Sequence, residues 1–255
     1  HRAIIVCMNS YKVMTLNLWC DFMHIVGTKG FSYRIHSIQK LADNYHPDII
    51  GTQEMTYAMV PYIRESLLHD YGIFGAHRKS LMNNEANPIL YRKDRFEFVK
   101  GTTLWLSDTP DIEGSRFLLS QFPRIVTMIT LRDKESRELV TFANTHLDVN
   151  FSFIRQKQAE TLCRILKNEK NPVVLTGDFN SNETQDSIKT ILAGGFRDCA
   201  SNAFGSTLRG KIGSARFNHL PIDHIFYNDC LEFIRSQKVT DTPDGIWPSD
   251  HYPLL

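Results

Sequence analysis

Acidic, amide and imidazole side chains occur in this chain where predicted strands end. Asp178 and Asn180, two residues apart after a short apolar strand, can direct a proton acceptor and a hydrogen-bond donor to one point. Asp223 and His251 can form a pair in which the carboxylate fixes the tautomer of the ring. Cleavage of a phosphate ester needs these groups: a base for water, a donor for the phosphoryl oxygens and a group that stabilises the developing charge.

A second set of side chains supplies hard oxygen atoms. Asn17, Glu54 and Asp250 each follow or flank a predicted strand. Mg²⁺ prefers one or two carboxylates with further oxygen ligands over a cage of sulfur or imidazole. These residues therefore predict a Mg²⁺ site, in which Mn²⁺ is expected to substitute.

The predicted elements bring these residues to strand ends. Period-two patterning predicts strands at 11–19, 48–52, 88–92, 124–131, 139–144, 172–176 and 220–227, and a last strand after His251. Helical spacing predicts helices at 34–45, 58–68 and 151–168. Segment 133–138 is predicted to be a solvated hairpin tip. Many strands, several in hairpins, with helices that must cover sheet faces, predict a layered α/β sandwich.

Composition is that of a folded globular protein, with 42% hydrophobic and 22% charged residues. The 29 basic and 28 acidic residues create no large positive field for non-specific nucleic-acid binding. Five scattered cysteines without a Cys-x-x-Cys pair disfavour a thiolate zinc site. No apolar run approaches the roughly 20 residues that span a bilayer, which predicts no integral membrane segment.

The domain prediction is a single domain at 11–255, preceded by an extension at 1–10. Because the first residue is His1, this extension is expected to be a processed or introduced segment. The compartment is left open between the cytoplasm and a secreted or periplasmic location. A monomer is expected.

Six ordered motifs resemble the endonuclease/exonuclease/phosphatase superfamily of deoxyribonuclease-like, magnesium-dependent phosphoesterases. The resemblance covers Met14 to the end of the sequence, and its motifs are 15–19 (TLNLW), 51–54 (GTQE), 144–147 (NTHL), 177–180 (GDFN), 222–226 (IDHIF) and 249–251 (SDH). Segment 104–110 (LWLSDTP) also resembles a branch with many uncharacterised bacterial members. The resemblance implies a four-layer α/β sandwich of two packed mixed sheets flanked by helices.

The resemblance also implies roles for the candidate residues. Asn17, Glu54 and Asp250 would lie around the Mg²⁺, and Asp178 would orient or deprotonate water. Asn180 would hold the phosphate, and His251 with its partner Asp223 would contact it. His146 matches a second histidine of the phosphate site, which Glu85 would partner.

Further candidates for substrate binding follow from the same cleft. Asn144 belongs to the motif of His146, and Asp148 follows that histidine by two residues. Cationic side chains would neutralise substrate oxygens, and the candidates are Arg78, Arg124 and Arg155.

The sequence predicts a hydrolase of phosphate esters, with a phosphodiesterase or nuclease, endo- or exonucleolytic, as the first expectation. Nucleic acid is then a candidate partner. The alternative is a phosphatase or phospholipase-type enzyme that acts on a small phosphate, an inositide or a sphingolipid headgroup. A binding module on the same fold is a third hypothesis, because a fold does not fix a function.

Overall fold

Two β-sheets form the centre of the protein, and the computed structural model describes residues 10–20, 30–210, 215 and 217–255. The first sheet has four strands in the order β1-β2-β4-β3: β1 (Val13–Asn17), β2 (Ile49–Gln53), β3 (Tyr71–Phe74) and β4 (Ile89–Arg92). Strands β1 and β2 are parallel, and the other pairs are antiparallel. The predicted extension at 1–10 lies, except for its last residue, outside the described residues.

The second sheet has six strands in the order β5-β6-β7-β8-β10-β9. Their bounds are β5 (Phe96–Trp105), β6 (Ile125–Asp133), β7 (Leu139–His146), β8 (Val173–Asp178), β9 (Phe196–Asp198) and β10 (Asp223–Asn228). Only β7 and β8 run parallel, so the carboxyl ends of these two strands lie side by side. That edge carries His146 and Asp178, which are paired in the register of the two strands.

Helices cover the outer faces of both sheets. They are α1 (Phe31–Tyr45), α2 (Val60–Leu67), α3 (Ser152–Leu166) and α4 (Asp186–Ala193). One buried apolar cluster joins α1 and α2 to the first sheet, a second joins α3 and α4 to the second sheet, and a third lies between the sheets. Burial of apolar surface in all three interfaces stabilises the order helix, sheet, sheet, helix. The predicted four-layer α/β sandwich is confirmed.

The two sheets approach each other closely at Gly51 of β2. A Cβ atom on this glycine would lie 2.0 Å from Oγ1 of Thr176 and 2.9 Å from Oδ1 of Asn144. Asn144 donates from Nδ2 to the carbonyl of Thr52 and accepts at Oδ1 from Nε2 of Gln53 at 2.7 Å. These buried hydrogen bonds fix the second sheet against the first, next to the strand ends.

Some elements differ from the sequence prediction. In place of the strand predicted after His251 there are two isolated bridges, which join Leu254 to Thr15 and to Lys238. Asp133 is not part of a solvated tip: it is buried and forms an ion pair with Arg95 at 3.2 Å. Its other oxygen accepts backbone N–H groups of the hairpin turn, which compensates the cost of burying the charge.

Candidate active site

Functional side chains from both sheets meet at one edge of the sandwich. Asn17 ends β1 and Glu54 follows β2 in the first sheet, whereas His146 and Asp178 end β7 and β8 in the second. Asp223 begins β10, antiparallel to β8 and directly opposite Asp178. Strand topology therefore assembles residues that lie far apart in the sequence.

Asp178 is at the centre of this arrangement. It is buried, and its Oδ2 accepts a hydrogen bond from Nδ2 of Asn17 at 3.0 Å. The same Oδ2 lies 3.6 Å from Nε2 of His146 and 3.8 Å from Nε2 of His251. Burial and the charge of Asp223 raise the pKa of Asp178, which His251 opposes. A carboxylate whose pKa is raised toward neutrality is suited to accept a proton.

His251 and Asp223 form the expected pair. Nδ1 of His251 lies 2.8 Å from Oδ2 of Asp223, and both side chains are buried. Burial opposes a charged ring, but Asp223 and Asp178 outweigh it and raise the pKa of His251 well above its usual value. The ring is therefore a stable cation whose Nε2 points toward Asp178.

His146 has the opposite electrostatic character. Burial and the charges of Arg124, Arg78 and His251 lower its pKa well below the usual value, so the ring is neutral. Its Nε2 lies 3.1 Å from Nδ2 of Asn180, while its buried Nδ1 has no hydrogen-bond partner in the described part of the chain.

Asn17 connects the two sheets at the site and also contacts Glu54. Nδ2 of Asn17 donates to Oε1 of Glu54 at 2.9 Å as well as to Asp178, and Oδ1 of Asn17 accepts from the backbone of Trp19. Burial raises the pKa of Asp250, and the charge of Glu54 also contributes to this increase. The Oδ1 atom of Asp250 accepts from the hydroxyl of Ser249.

The donor set of this corner fits a hard divalent cation. Two carboxylates, Glu54 and Asp250, repel each other, because the charge of Glu54 helps to raise the pKa of Asp250. A cation among these oxygens would remove the repulsion. The NH₂ group of Asn17, directed at Glu54, orients that carboxylate.

Glu85 does not contact His146. Its Oε2 forms an ion pair with Nη1 of Arg78 at 2.9 Å, and both side chains are buried. Burial and the nearby charge of Glu54 raise the pKa of Glu85, which Arg78 opposes. The structure therefore pairs Glu85 with an arginine in place of the expected histidine, and it brings both to the side of the site where Glu54 lies.

Arg124 is a buried cation at the same edge. It precedes β6, is 5% exposed, and its Nε has no hydrogen-bond partner in the described structure. No acidic side chain within the described ranges forms an ion pair with Arg124. Its charge acts on His146, Arg78 and Glu85, so the guanidinium is close to the candidate site. A buried cation with no direct ion pair among the described residues would be stabilised further by an anionic ligand.

Three predicted substrate-binding residues make internal contacts. The amide of Asn144 links the sheets, as described above. The carboxylate of Asp148 is fully buried and accepts from the backbone of Asn150 and from the hydroxyl of Ser120. Arg155 donates from Nε to Oγ of Ser181 and from Nη1 to the carbonyl of Asp148. These contacts support the loops behind the site.

Three residues near the site adopt left-handed backbone conformations that are uncommon for residues other than glycine. The φ angles are 56° at Trp19, 63° at Glu54 and 48° at Asn180. Such conformations cost free energy and cluster at functional sites, where surrounding contacts maintain them. Each occurs directly after a strand and turns the chain so that side chains face the site.

Cys20 also lies next to the site, and it was not among the residues predicted from the sequence. Its backbone N–H donates to Oε2 of Glu54 at 2.9 Å, and potential ligand atoms of Cys20, Glu54 and Glu85 lie within 4.8 Å of one another. In the sequence, Cys20 follows Asn17 by three residues, and this closeness to a candidate residue could have indicated it. The thiol is partly exposed.

Comparison with known proteins identifies the class to which this fold and site belong. The sequence profile of the Endonuclease/Exonuclease/phosphatase family matches residues 14–251. The chain belongs to this family, whose members are phosphoesterase hydrolases. Within the described residues, no helix is long and apolar enough to cross a membrane.

Individual relatives agree with the family assignment. The curated "Protein angel" of Drosophila melanogaster is 26% identical over 221 residues, which is 80% of this chain and 61% of that protein. An endonuclease/exonuclease/phosphatase family protein from Bacteroides thetaiotaomicron is 26% identical, with a TM-score of 0.81 over 96% of this chain and 95% of that one. A mannosyl-6-phosphatase from the same species is 25% identical, with a TM-score of 0.79 over 96% and 98%.

Proposed function

We propose that this protein is a magnesium-dependent hydrolase of phosphate esters. The observation that supports the proposal most directly is the position of Asp178, whose Oδ2 faces Nε2 of both His146 and His251 and is hydrogen-bonded to Asn17. A basic carboxylate, a charged imidazole and a group of hard oxygen atoms thus converge on one point.

Each side chain has a specific task in the proposed reaction. Asp178 accepts the proton of the attacking water, and its raised pKa suits that role. His251, kept charged by Asp223, donates from Nε2 to a phosphoryl oxygen and stabilises the developing negative charge. In the structure the amide of Asn180 donates to the carbonyl of Leu147 and lies 3.1 Å from Nε2 of neutral His146, so it would donate to the phosphate by exchanging one of these partners for a phosphoryl oxygen.

Glu54 and Asp250 would hold the Mg²⁺ ion, and Asn17, which donates to Oε1 of Glu54, orients that carboxylate. When bound, the ion supplies positive charge to the phosphoryl group. Mn²⁺ should support the same reaction because it accepts the same oxygen ligands.

Two substrate classes are compatible with this chemistry. A phosphodiester, as in nucleic acid, is the first expectation from the sequence. A phosphomonoester of a small molecule is the second candidate, and buried Arg124 favours it, because a monoester carries up to one more negative charge than a diester at neutral pH. The similar Bacteroides mannosyl-6-phosphatase also supports this candidate.

The proposal is tested with bis-p-nitrophenyl phosphate and p-nitrophenyl phosphate in MgCl₂. The wild-type protein should release nitrophenol from at least one ester, and Asp178→Asn should lower kcat about 10³-fold, within the range of a general base. Asp186→Asn is the matched control, since Asp186 is an exposed residue on α4. Undiminished turnover by Asp178→Asn, or turnover that persists in EDTA, would contradict the proposal.

A further inference from the structure

His224 lies behind the candidate site and has no part in the proposed mechanism. It follows Asp223 on β10, is 2% exposed, and stands opposite Gly177 of β8. Nδ1 of the ring is 2.7 Å from Oδ2 of Asp198, and Nε2 is 2.9 Å from the backbone carbonyl of Ser181. Both ring nitrogens therefore face oxygen atoms that accept hydrogen bonds, one in the carboxylate of Asp198 and one in the backbone carbonyl of Ser181.

Only the protonated ring can satisfy both contacts. A neutral imidazole has one donor and one acceptor nitrogen, so it would place a lone pair against one of the two oxygens. Burial opposes the charge, but Asp198 and the carbonyl of Ser181 outweigh it, and the pKa of His224 is raised. The aromatic rings of Phe226 and Phe179 pack at 5.3 Å and 5.6 Å from the imidazole and enclose it.

The carbonyl that His224 contacts belongs to the turn that carries the proposed catalytic groups. Ser181 directly follows Asn180, and the backbone N–H of Asn180 donates to Oδ1 of Asp178 at 2.9 Å. Asn180 has a left-handed φ of 48°, a conformation that needs external contacts to persist. The turn reaches into the site on one side and contacts His224 on the other.

Side chains of α3 and α4 also support this turn. Nε of Arg155 donates to Oγ of Ser181 at 2.9 Å, and the hydroxyl of Ser187 donates to the same oxygen. These bonds hold the side chain of Ser181 and leave its backbone carbonyl to His224. The guanidinium of Arg155 therefore holds the side chain of Ser181, and the imidazole of His224 holds its backbone carbonyl.

We infer that His224 is a positioning residue, whose hydrogen bond to the backbone carbonyl of Ser181 fixes the turn after β8, and with it Asn180 and Asp178, for catalysis. This inference rests on the proposed function. The Asp198 carboxylate orients the ring from its other side, and the donor at the Nε2 position is the group that holds the turn. Loss of the Ser181 contact should disturb the geometry of the transition state more than substrate binding.

Two substitutions separate the two contacts of the ring. In His224→Asn the amide can replace Nδ1 and donate to Asp198, but it is too short to reach Ser181. In His224→Gln the amide can extend to the position of Nε2 and donate to the Ser181 carbonyl. The Asn variant should lose at least tenfold in kcat on the better nitrophenyl ester in MgCl₂, with KM changed less than threefold. The Gln variant should keep kcat within threefold of wild type.

The inference is overturned if the Asn variant keeps wild-type kcat, or if both variants lose kcat equally. Hydrogen–deuterium exchange gives a readout that needs no activity. Exchange in a peptide that covers 179–182 should rise in the Asn variant and not in the Gln variant, while β5 stays unchanged in both. Equal exchange at 179–182 in the Asn variant and wild type would also overturn it. If the wild-type protein hydrolysed neither ester, the proposed function would fail, and exchange would still test the contact between His224 and the turn.

Discussion

At the scale of residues, the two histidines that face Asp178 are held in opposite charge states. His146 is next to two buried arginine side chains, whereas His251 is next to two aspartates. A neutral ring that orients an amide and a charged ring that stabilises an anion can therefore operate within one site at one pH. The charge of each ring is set by its neighbours.

The charge of His251 gives the metal-free protein an uncommon dependence on pH. Because the folded pKa of His251 is raised, its contribution to stability is complete below about pH 6.5, the usual value for an unfolded histidine, and is lost as pH rises through the folded pKa. In EDTA, the free energy of unfolding should therefore fall as the pH rises above about 6.5, as measured by urea denaturation.

His251→Phe should reduce the slope of this pH dependence, and His69→Phe, at a side chain that is 92% exposed, should leave it unchanged. The slope should not vanish in His251→Phe, because the pKa values of Asp178 and His224 are also raised in the folded state. A slope identical to that of the wild-type protein would contradict the role given to His251.

At the scale of elements, the site depends on how closely the two sheets pack. Gly51 allows a close approach of β2 to Thr176 and Asn144, and the amide of Asn144 makes hydrogen bonds to the first sheet from β7. Side chains larger than hydrogen at position 51 would separate Glu54 from Asp178. Packing between the sheets is therefore a condition for the geometry of the site.

Gly51→Ala should destabilise the fold by about 1–3 kcal/mol, the usual cost of overpacking a core, because the added methyl group would collide with Oγ1 of Thr176. Urea denaturation measures the change. Adding Thr176→Ala removes the colliding oxygen and should recover part of the loss, so that the two effects are not additive. Strict additivity would show that the collision is relieved in another way.

Much of this arrangement could be predicted from the sequence, because apolar strands with polar residues at their ends have a strong local pattern. The pattern predicts Asn17, Glu54, His146 and Asp178 at strand ends, which is where they lie in the structure. Strand β5 was missed because most of its residues are exposed, so the alternation that marks a half-buried strand is absent. Helix α4, with only eight residues, was also missed.

Side-chain partners could not be predicted in the same way. Glu85 could have paired with His146 or with a cation, and only the folded loop places Arg78 within 2.9 Å of it. The sequence likewise gives no sign that the carboxylate of Asp148 turns inward to bind backbone N–H groups. Such choices depend on burial and on contacts between distant segments, which no local pattern encodes.

At the scale of the whole molecule, the carboxylates of the site come from both sheets and from segment 249–251. Glu54 extends from the first sheet and Asp178 from the second, while Asp250 lies in that later segment. A cation bound at Glu54 and Asp250 would therefore connect separate parts of the fold and reduce their electrostatic repulsion.

Magnesium should accordingly stabilise the protein. At a concentration of MgCl₂ that is 100 times Kd, the gain is about 2.7 kcal/mol, and it should appear as a rise in Tm relative to EDTA. Glu54→Gln should abolish the rise, and Glu232→Gln, at an exposed residue, should keep it. An equal rise in Glu54→Gln and wild type would place the metal elsewhere.

The pairing of Leu254 with Thr15 determines when the molecule can first become active during its synthesis. Backbone hydrogen bonds of 3.0 and 3.2 Å join these two residues, and Asp250 and His251 lie just ahead of Leu254. Most of both sheets can form while segment 249–255 is still inside the ribosome. The nascent chain would then be folded over much of its length and still lack a proposed metal ligand and the charged imidazole, so catalysis would begin only after this segment emerges and pairs with β1.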